Sequence, residues 1–112
     1  MAIHPKRGEV FWVSFDPSVG GEVQKTRPAI ILSNDAANAV LNRLIVLPLS
    51  SKIDRLYPGE VLIQANSQTS KAMSDQLTTI SKLRLQKRIT QITHEEMKRV
   101  EEAVLLQLGI RI

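Results

Sequence analysis

Cysteine is absent from the chain, which excludes disulfides, thiolate metal sites and cysteine nucleophiles. Histidine occurs only as His4 and His94, far apart and without ligand spacing around either, so no zinc site is expected. Aromatic residues make up 4% of the sequence, too few for recognition built mainly on base stacking. No apolar run approaches the roughly 20 residues that span a bilayer, and the start "MAIHPKRGEV" has no signal-peptide core. A phosphate-cradling glycine loop is missing too, because "VGGEVQKTRP" lacks both the spacing and the following helix. The carboxylates Glu9, Asp16, Glu22, Asp35, Asp54, Glu60 and Asp75 are scattered singly, so no acidic cluster suggests a two-metal nuclease. These absences leave a cytoplasmic, metal-independent protein that needs no cofactor and no membrane, with residues 1–112 forming one domain.

What is present is an ordinary apolar fraction of 43% and a net charge of +4. The length, 112 residues, is enough for one hydrophobic core without staples. The positive excess is local: residues 61–93 carry five basic side chains against one acidic, mostly within "SKLRLQKR". Lys82, Arg84, Lys87 and Arg88 either solvate one edge of a strand or form a stripe for an anionic partner, nucleic acid first.

"VFWVSF", Val10 to Phe15, is rich in β-branched and aromatic residues and predicts a strand. Residues 17–26 have no usable period and are expected to form a long, mobile loop. Ala29 to Ser33 reads as a second strand with Pro28 at its tolerated first position, and Asn34 to Asn42 as a helical turn. "RLIVLPLS", Arg43 to Ser50, reads as a third strand, where Pro48 argues for an edge or a bulge. A second loop closes at Pro58-Gly59, followed by strands at Glu60 to Ala65, Met73 to Ile80 and about Arg88 to Ile92. Thr93 with Glu96 has the capping-box pattern, and Met97, Val100, Val104 and Leu108 then mark one face of a helix stopping at Gly109. The fold class is mainly β: a small, strongly bent antiparallel sheet or barrel with one C-terminal helix.

The polar residues at strand ends are the remaining source of chemistry. Arg27 enters the second strand, Ser50 leaves the third, and an antiparallel pairing of the two would bring them together. An arginine beside a hydroxyl in a metal-free site suits phosphoryl transfer, since a guanidinium binds two phosphate oxygens and holds charge that grows in the transition state. With RNA as substrate the nucleophile can be its own 2′-OH. Arg27 could equally solvate a strand end, and Ser50 could be a hydrogen-bonded cap.

"GEVFWVSFDPSVGGEVQKTRPAIILSND", "IVLPLSS", "YPGEV" and "AMSDQLTTI", in that order and spacing, resemble the MazF/PemK/Kid endoribonuclease toxins of toxin–antitoxin systems. The resemblance runs from about Lys6 to Leu108. It implies an SH3-like barrel of the CcdB/MazF kind, a homodimer, and metal-independent, sequence-specific cleavage of single-stranded RNA leaving 2′,3′-cyclic phosphate and 5′-hydroxyl ends. It assigns catalysis to Arg27, to Ser50 where many members carry threonine, and to Glu22. Substrate contacts are expected from Gly20, Gly21, Gln24, Lys25, Thr26, Ser51, Lys52, Asp75 and Gln76. The implied partner is an antitoxin with an acidic, extended C-terminal tail. A gyrase poison of the CcdB type, or a silent RNA-binding barrel, would use the same fold, but "LLQLGIRI" lacks the tryptophan that gyrase poisons place at the helix end.

Overall fold

Every strand pairing in the computed structural model is antiparallel. The structure describes residues 4–17, 19–22 and 25–111. Its elements are β1 (Glu9–Ser14), β2 (Thr26–Ile31), α1 (Asp35–Val40), β3 (Arg43–Ser50), β4 (Glu60–Ala65), β5 (Gln68–Met73), β6 (Thr78–Ser81), β7 (Leu85–Gln91) and α2 (His94–Leu108). The sheet order is β4-β5-β3-β2-β1-β7, with β6 also on β3. The result is a half-barrel closed on one side by the C-terminal helix.

Strand β3 is the pivot. One edge pairs with β2, while the other pairs first with β6, through Val46↔Thr78, and then with β5, from Leu49↔Ala72. Pro48 therefore lies in a central strand, not at the edge that its missing N–H suggests. It sits in the gap where β3 exchanges β6 for β5, so proline falls where the ladder on that edge is already broken.

Alternation along the strands separates two cores. Val10, Ile30, Leu47, Leu49, Ile63 and Ala72 pack on one face with Val100 and Val104 of α2. Val13, Phe15, Ala29, Ile31, Leu44, Val46 and Ile80 fill the opposite face. Burial on this scale stabilises by about 25 cal/mol per Å² of apolar surface. Such two-sided burial accounts for the near-continuous apolar runs of β2 and β3.

The helix begins with the expected capping box, Thr93 and Glu96 bonding reciprocally to each other's backbone N–H. It ends at Gly109, whose left-handed φ of 72° lets its N–H reach back to the Leu105 and Leu106 carbonyls. Its buried stripe is Glu96, Val100, Ala103 and Val104, whereas Leu108, expected on that face, is 55% exposed in the last turn. Glu96 Oε2 accepts from Gln64 N–H (2.7 Å) and Arg99 Nη1 donates to the Leu62 carbonyl (3.0 Å). Those contacts cover outward-facing backbone groups of β4, the free edge of the sheet.

The expected strand from Met73 to Ile80 divides into the end of β5, a 3₁₀ turn at Ser74–Gln76, and β6. A tight β4–β5 hairpin precedes it, Ala65 pairing with Gln68 around Asn66 and Ser67 at φ 54° and 72°. Two central residues at positive φ are what a two-residue hairpin of right-handed twist requires.

Candidate active site

The register of β2 and β3 is Ile31↔Val46, Ile30↔Leu47, Ala29↔Pro48, and its continuation places Arg27 opposite Ser50. Ser50 in turn faces Lys71 of β5, and Arg27 faces Val13 of β1. Arg27, Ser50 and Lys71 thus form one cross-strand row on the face of the second core, where directly opposed side chains sit about 5 Å apart at Cβ. Ser50 is 7% exposed, with its Oγ accepting from Lys52 N–H at 3.2 Å. Arg27 is half-buried where β2 leaves the loop.

The row opens into a cleft of about 230 Å³ lined by Gly21, Glu22, Arg27, Ser50, Lys52, Lys71, Met73 and Gln76. Two further clefts share its walls. One, of about 270 Å³, contains Arg27 with Lys25, Thr26, Ser51, Trp12 and Gln68. The other, of about 340 Å³, contains Glu22 and Gln76 with Asp75, Phe15, Thr78 and Arg84. Arg27 divides the first pair and Glu22 with Gln76 divides the second, so the three clefts lie in series.

The sequence-derived residues are thereby brought largely together. Arg27, Ser50, Glu22, Gly21, Lys52 and Gln76 share the central cleft; Lys25, Thr26 and Ser51 lie on one side of it and Asp75 on the other. Gly20 stands in the exposed turn at φ 61° and lines none of the three. Gln24 lies outside the described residues. Asp75 and Gln76 sit in the 3₁₀ turn rather than in a strand.

The loop that carries Glu22 is tied down at several described positions. Lys25 N–H reaches Asp16 Oδ1 (2.9 Å), Val19 N–H reaches Glu22 Oε1 (2.7 Å), and Gln76 Nε2 donates to the Gly21 carbonyl (3.3 Å). The basic stretch 82–88 takes little part in the clefts. Lys82 donates to the Asn38 carbonyl, and Arg88 pairs with Glu9 at 2.6 Å. Arg84 spans the Ser14 and Asp16 carbonyls at 2.9 and 2.6 Å, holding the start of the loop from below. Lys71 lies in the part of β5 before Met73, where the sequence pattern predicts no strand. The available signal was the Asn66-Ser67 pair between two six-residue segments.

Two carboxyls have displaced pKa values, both outside the clefts. The Arg7 backbone N–H, at 2.7 Å, holds Asp35 below the ordinary aspartate value against the opposing effect of desolvation. Burial would raise Glu96, but the Gln64 and Thr93 N–H donors outweigh it and leave this carboxyl lowered. Among the described residues, no group of three or more His, Cys, Asp or Glu side chains could hold a metal ion. No helix among them is long and apolar enough to cross a membrane.

A family model described as the PemK-like, MazF-like toxin of type II toxin–antitoxin systems matches residues 6–108. The chain belongs to this family. It is 35% identical to the endoribonuclease MazF9 of Mycobacterium tuberculosis over 94% of this chain and 97% of that one. The crystal structure of MazF from Deinococcus radiodurans superposes with a TM-score of 0.87 at 24% identity, over 97% of this chain and all of that one. A mycobacterial endoribonuclease solved in complex with its cognate antitoxin gives a TM-score of 0.81 at 22% identity, covering 96% and 98% of the two chains. The expected barrel with its C-terminal helix is thus the MazF fold.

Proposed function

We propose that this PemK/MazF-type toxin is an endoribonuclease that cuts single-stranded RNA at a short sequence without a metal ion. The observation that carries this reading is Arg27 opposed to Ser50 across β2 and β3, in a cleft shared with Glu22 and Lys52. In this mechanism the ribose 2′-OH attacks the adjacent phosphorus and the bond to the 5′ oxygen breaks. The products are a 2′,3′-cyclic phosphate and a 5′-hydroxyl.

Glu22 accepts the 2′-OH proton. Arg27 holds two non-bridging oxygens through the charge build-up, a role its planar fork fits better than an ammonium would. Ser50 Oγ–H hydrogen-bonds the departing 5′ oxygen, which water in the open cleft protonates. The flanking clefts, with Gln68 and Ser51 on one side and Asp75 and Thr78 on the other, offer hydrogen bonds to unpaired base edges.

Cleavage of a long, mixed-sequence, unstructured RNA in EDTA tests the reading. Discrete cuts with 5′-hydroxyl ends are expected, slowed about 100- to 1000-fold by Arg27→Ala with RNA affinity largely kept. Intact RNA in the presence of folded wild-type protein would make this a binding module instead. The physiological form is a cytoplasmic homodimer held inactive by an antitoxin whose acidic, extended tail occupies the basic clefts. A monomer by light scattering would overturn the first statement, and undiminished cleavage at saturating antitoxin the second.

A further inference from the structure

Lys71 stands in the same row as Arg27 and Ser50, yet its ammonium is engaged with neighbouring protein groups. Nζ lies 3.1 Å from Glu60 Oε1, donates to the Arg55 carbonyl at 3.0 Å, and sits 5.6 Å from the centre of the Tyr57 ring. The Lys71 and Glu60 side chains are only 10% and 8% exposed. Glu60 Oε1 also accepts from Tyr57 N–H at 2.7 Å, and Glu60 N–H returns to the Tyr57 carbonyl at 3.0 Å.

Residues 51–58, by contrast, are all exposed and lie in no strand or helix. That segment carries Ser51 and Lys52 into the clefts on either side of Arg27. A buried ion pair on the β4–β5 hairpin therefore grips an exposed loop at Arg55 and Tyr57, while the loop's other end leads straight from Ser50.

We propose that the Lys71–Glu60 pair latches the 51–59 loop over the central cleft, making Lys71 a positioning residue that sets which RNA sequence is cut. The proposal rests on the endoribonuclease reading above. Lys71 acts through the loop and does not itself take the phosphate, since two of its three N–H donors are committed to Glu60 and Arg55. Fixing the loop before RNA arrives removes an ordering cost from binding, and removing the latch returns that cost.

Lys71→Met alone would leave Glu60 buried and unpaired, which endangers folding. The informative variant is therefore Lys71→Met combined with Glu60→Gln, which removes both charges and keeps an acceptor for Tyr57 N–H. Hydrogen exchange of the RNA-free protein is expected to quicken at least about tenfold in the loop and stay unchanged in β1–β3. At the preferred RNA site KM is expected to rise about tenfold with kcat within about threefold, and cuts are expected at sites the wild type leaves intact. Lys71→Arg, which can still reach Glu60, should restore the original cleavage pattern. Unchanged loop exchange or an unchanged cleavage pattern overturns the proposal. So does a salt dependence weakened by about one charge with the pattern kept, since that marks a direct phosphate contact. If wild-type protein cuts no RNA, the endoribonuclease reading fails, and the exchange measurement still decides whether the latch exists.

Discussion

Glu96→Gln keeps the shape of a side chain that joins helix to sheet and removes only its charge. Glu96 is 7% exposed, with Oε2 accepting from Gln64 N–H at 2.7 Å and Oε1 from Thr93 N–H at 2.9 Å. A glutamine accepts at one oxygen only, so its amide NH₂ must face the second backbone donor. One charge-assisted bond is lost and one N–H is left facing another donor, a cost of about 2–3 kcal/mol. For a chain of this length each kcal/mol lowers Tm by about 4 °C, so a fall of about 8–12 °C is expected near neutral pH.

The pH dependence has a definite sign. Burial opposes ionisation of Glu96, but the two backbone donors prevail and hold the folded-state pKa below the ordinary 4.5. The carboxylate's contribution is therefore complete above that value and is lost as pH falls through the lowered folded pKa. Once protonated, the wild-type carboxyl presents the same donor conflict as glutamine. Melting curves by circular dichroism at fixed protein concentration should show the gap between the two proteins closing on acidification. A deficit under about 2 °C near neutral pH, or a gap that does not narrow as the pH is taken progressively below the ordinary glutamate value, would refute the reasoning.

Two other substitutions give readable outcomes. Ser50→Ala should slow single-turnover RNA cleavage about 10- to 100-fold, while Ser50→Thr, which keeps the hydroxyl and narrows χ1, should stay within about threefold of wild type. An alanine variant as fast as wild type would remove Ser50 from the mechanism. Ser67→Gly should raise Tm by about 4 °C, because Ser67 holds a left-handed φ of 72° that costs a non-glycine residue about 1 kcal/mol. An unchanged or lower Tm would show that the hairpin pays nothing for this conformation.

What could be read in the sequence was local and strongly patterned. The capping box at Thr93–Glu96, the apolar runs of β1 to β3 and the Arg27–Ser50 pairing follow from spacing and from one antiparallel connection. What escaped depended on chain segments that only the fold brings together. The β4–β5 turn uses Asn-Ser instead of a glycine pair, so the sequence pattern predicts no strand before Met73 and gives no reason to place Lys71 beside Ser50. Pro48 misled because its tolerance comes from a change of partner along β3, a feature of topology. The sequence left the basic 82–88 stretch open between a solvated edge and a stripe for an anionic partner; in the fold Lys82, Arg84 and Arg88 bond to the protein itself.

The position of the proposed active site follows from where the second core runs out. On this face the β2–β3 pairs come at two-residue intervals, Ile31 with Val46 and Ala29 with Pro48, and the same register continued sets Arg27 opposite Ser50. The first two pairs carry the buried Ile31, Val46 and Ala29, and the third is the first to meet water at the cleft. A guanidinium placed any deeper would be desolvated without a partner, and one placed further out would hang from the loop. At this one step the arginine keeps its hydration while its backbone is paired to Val13 of β1. The α2 helix reinforces the arrangement from the opposite face by packing the first core and tying down the β4 edge. The rigidity that preorganised catalysis needs is thus supplied by both cores, and polar chemistry appears where one of them ends.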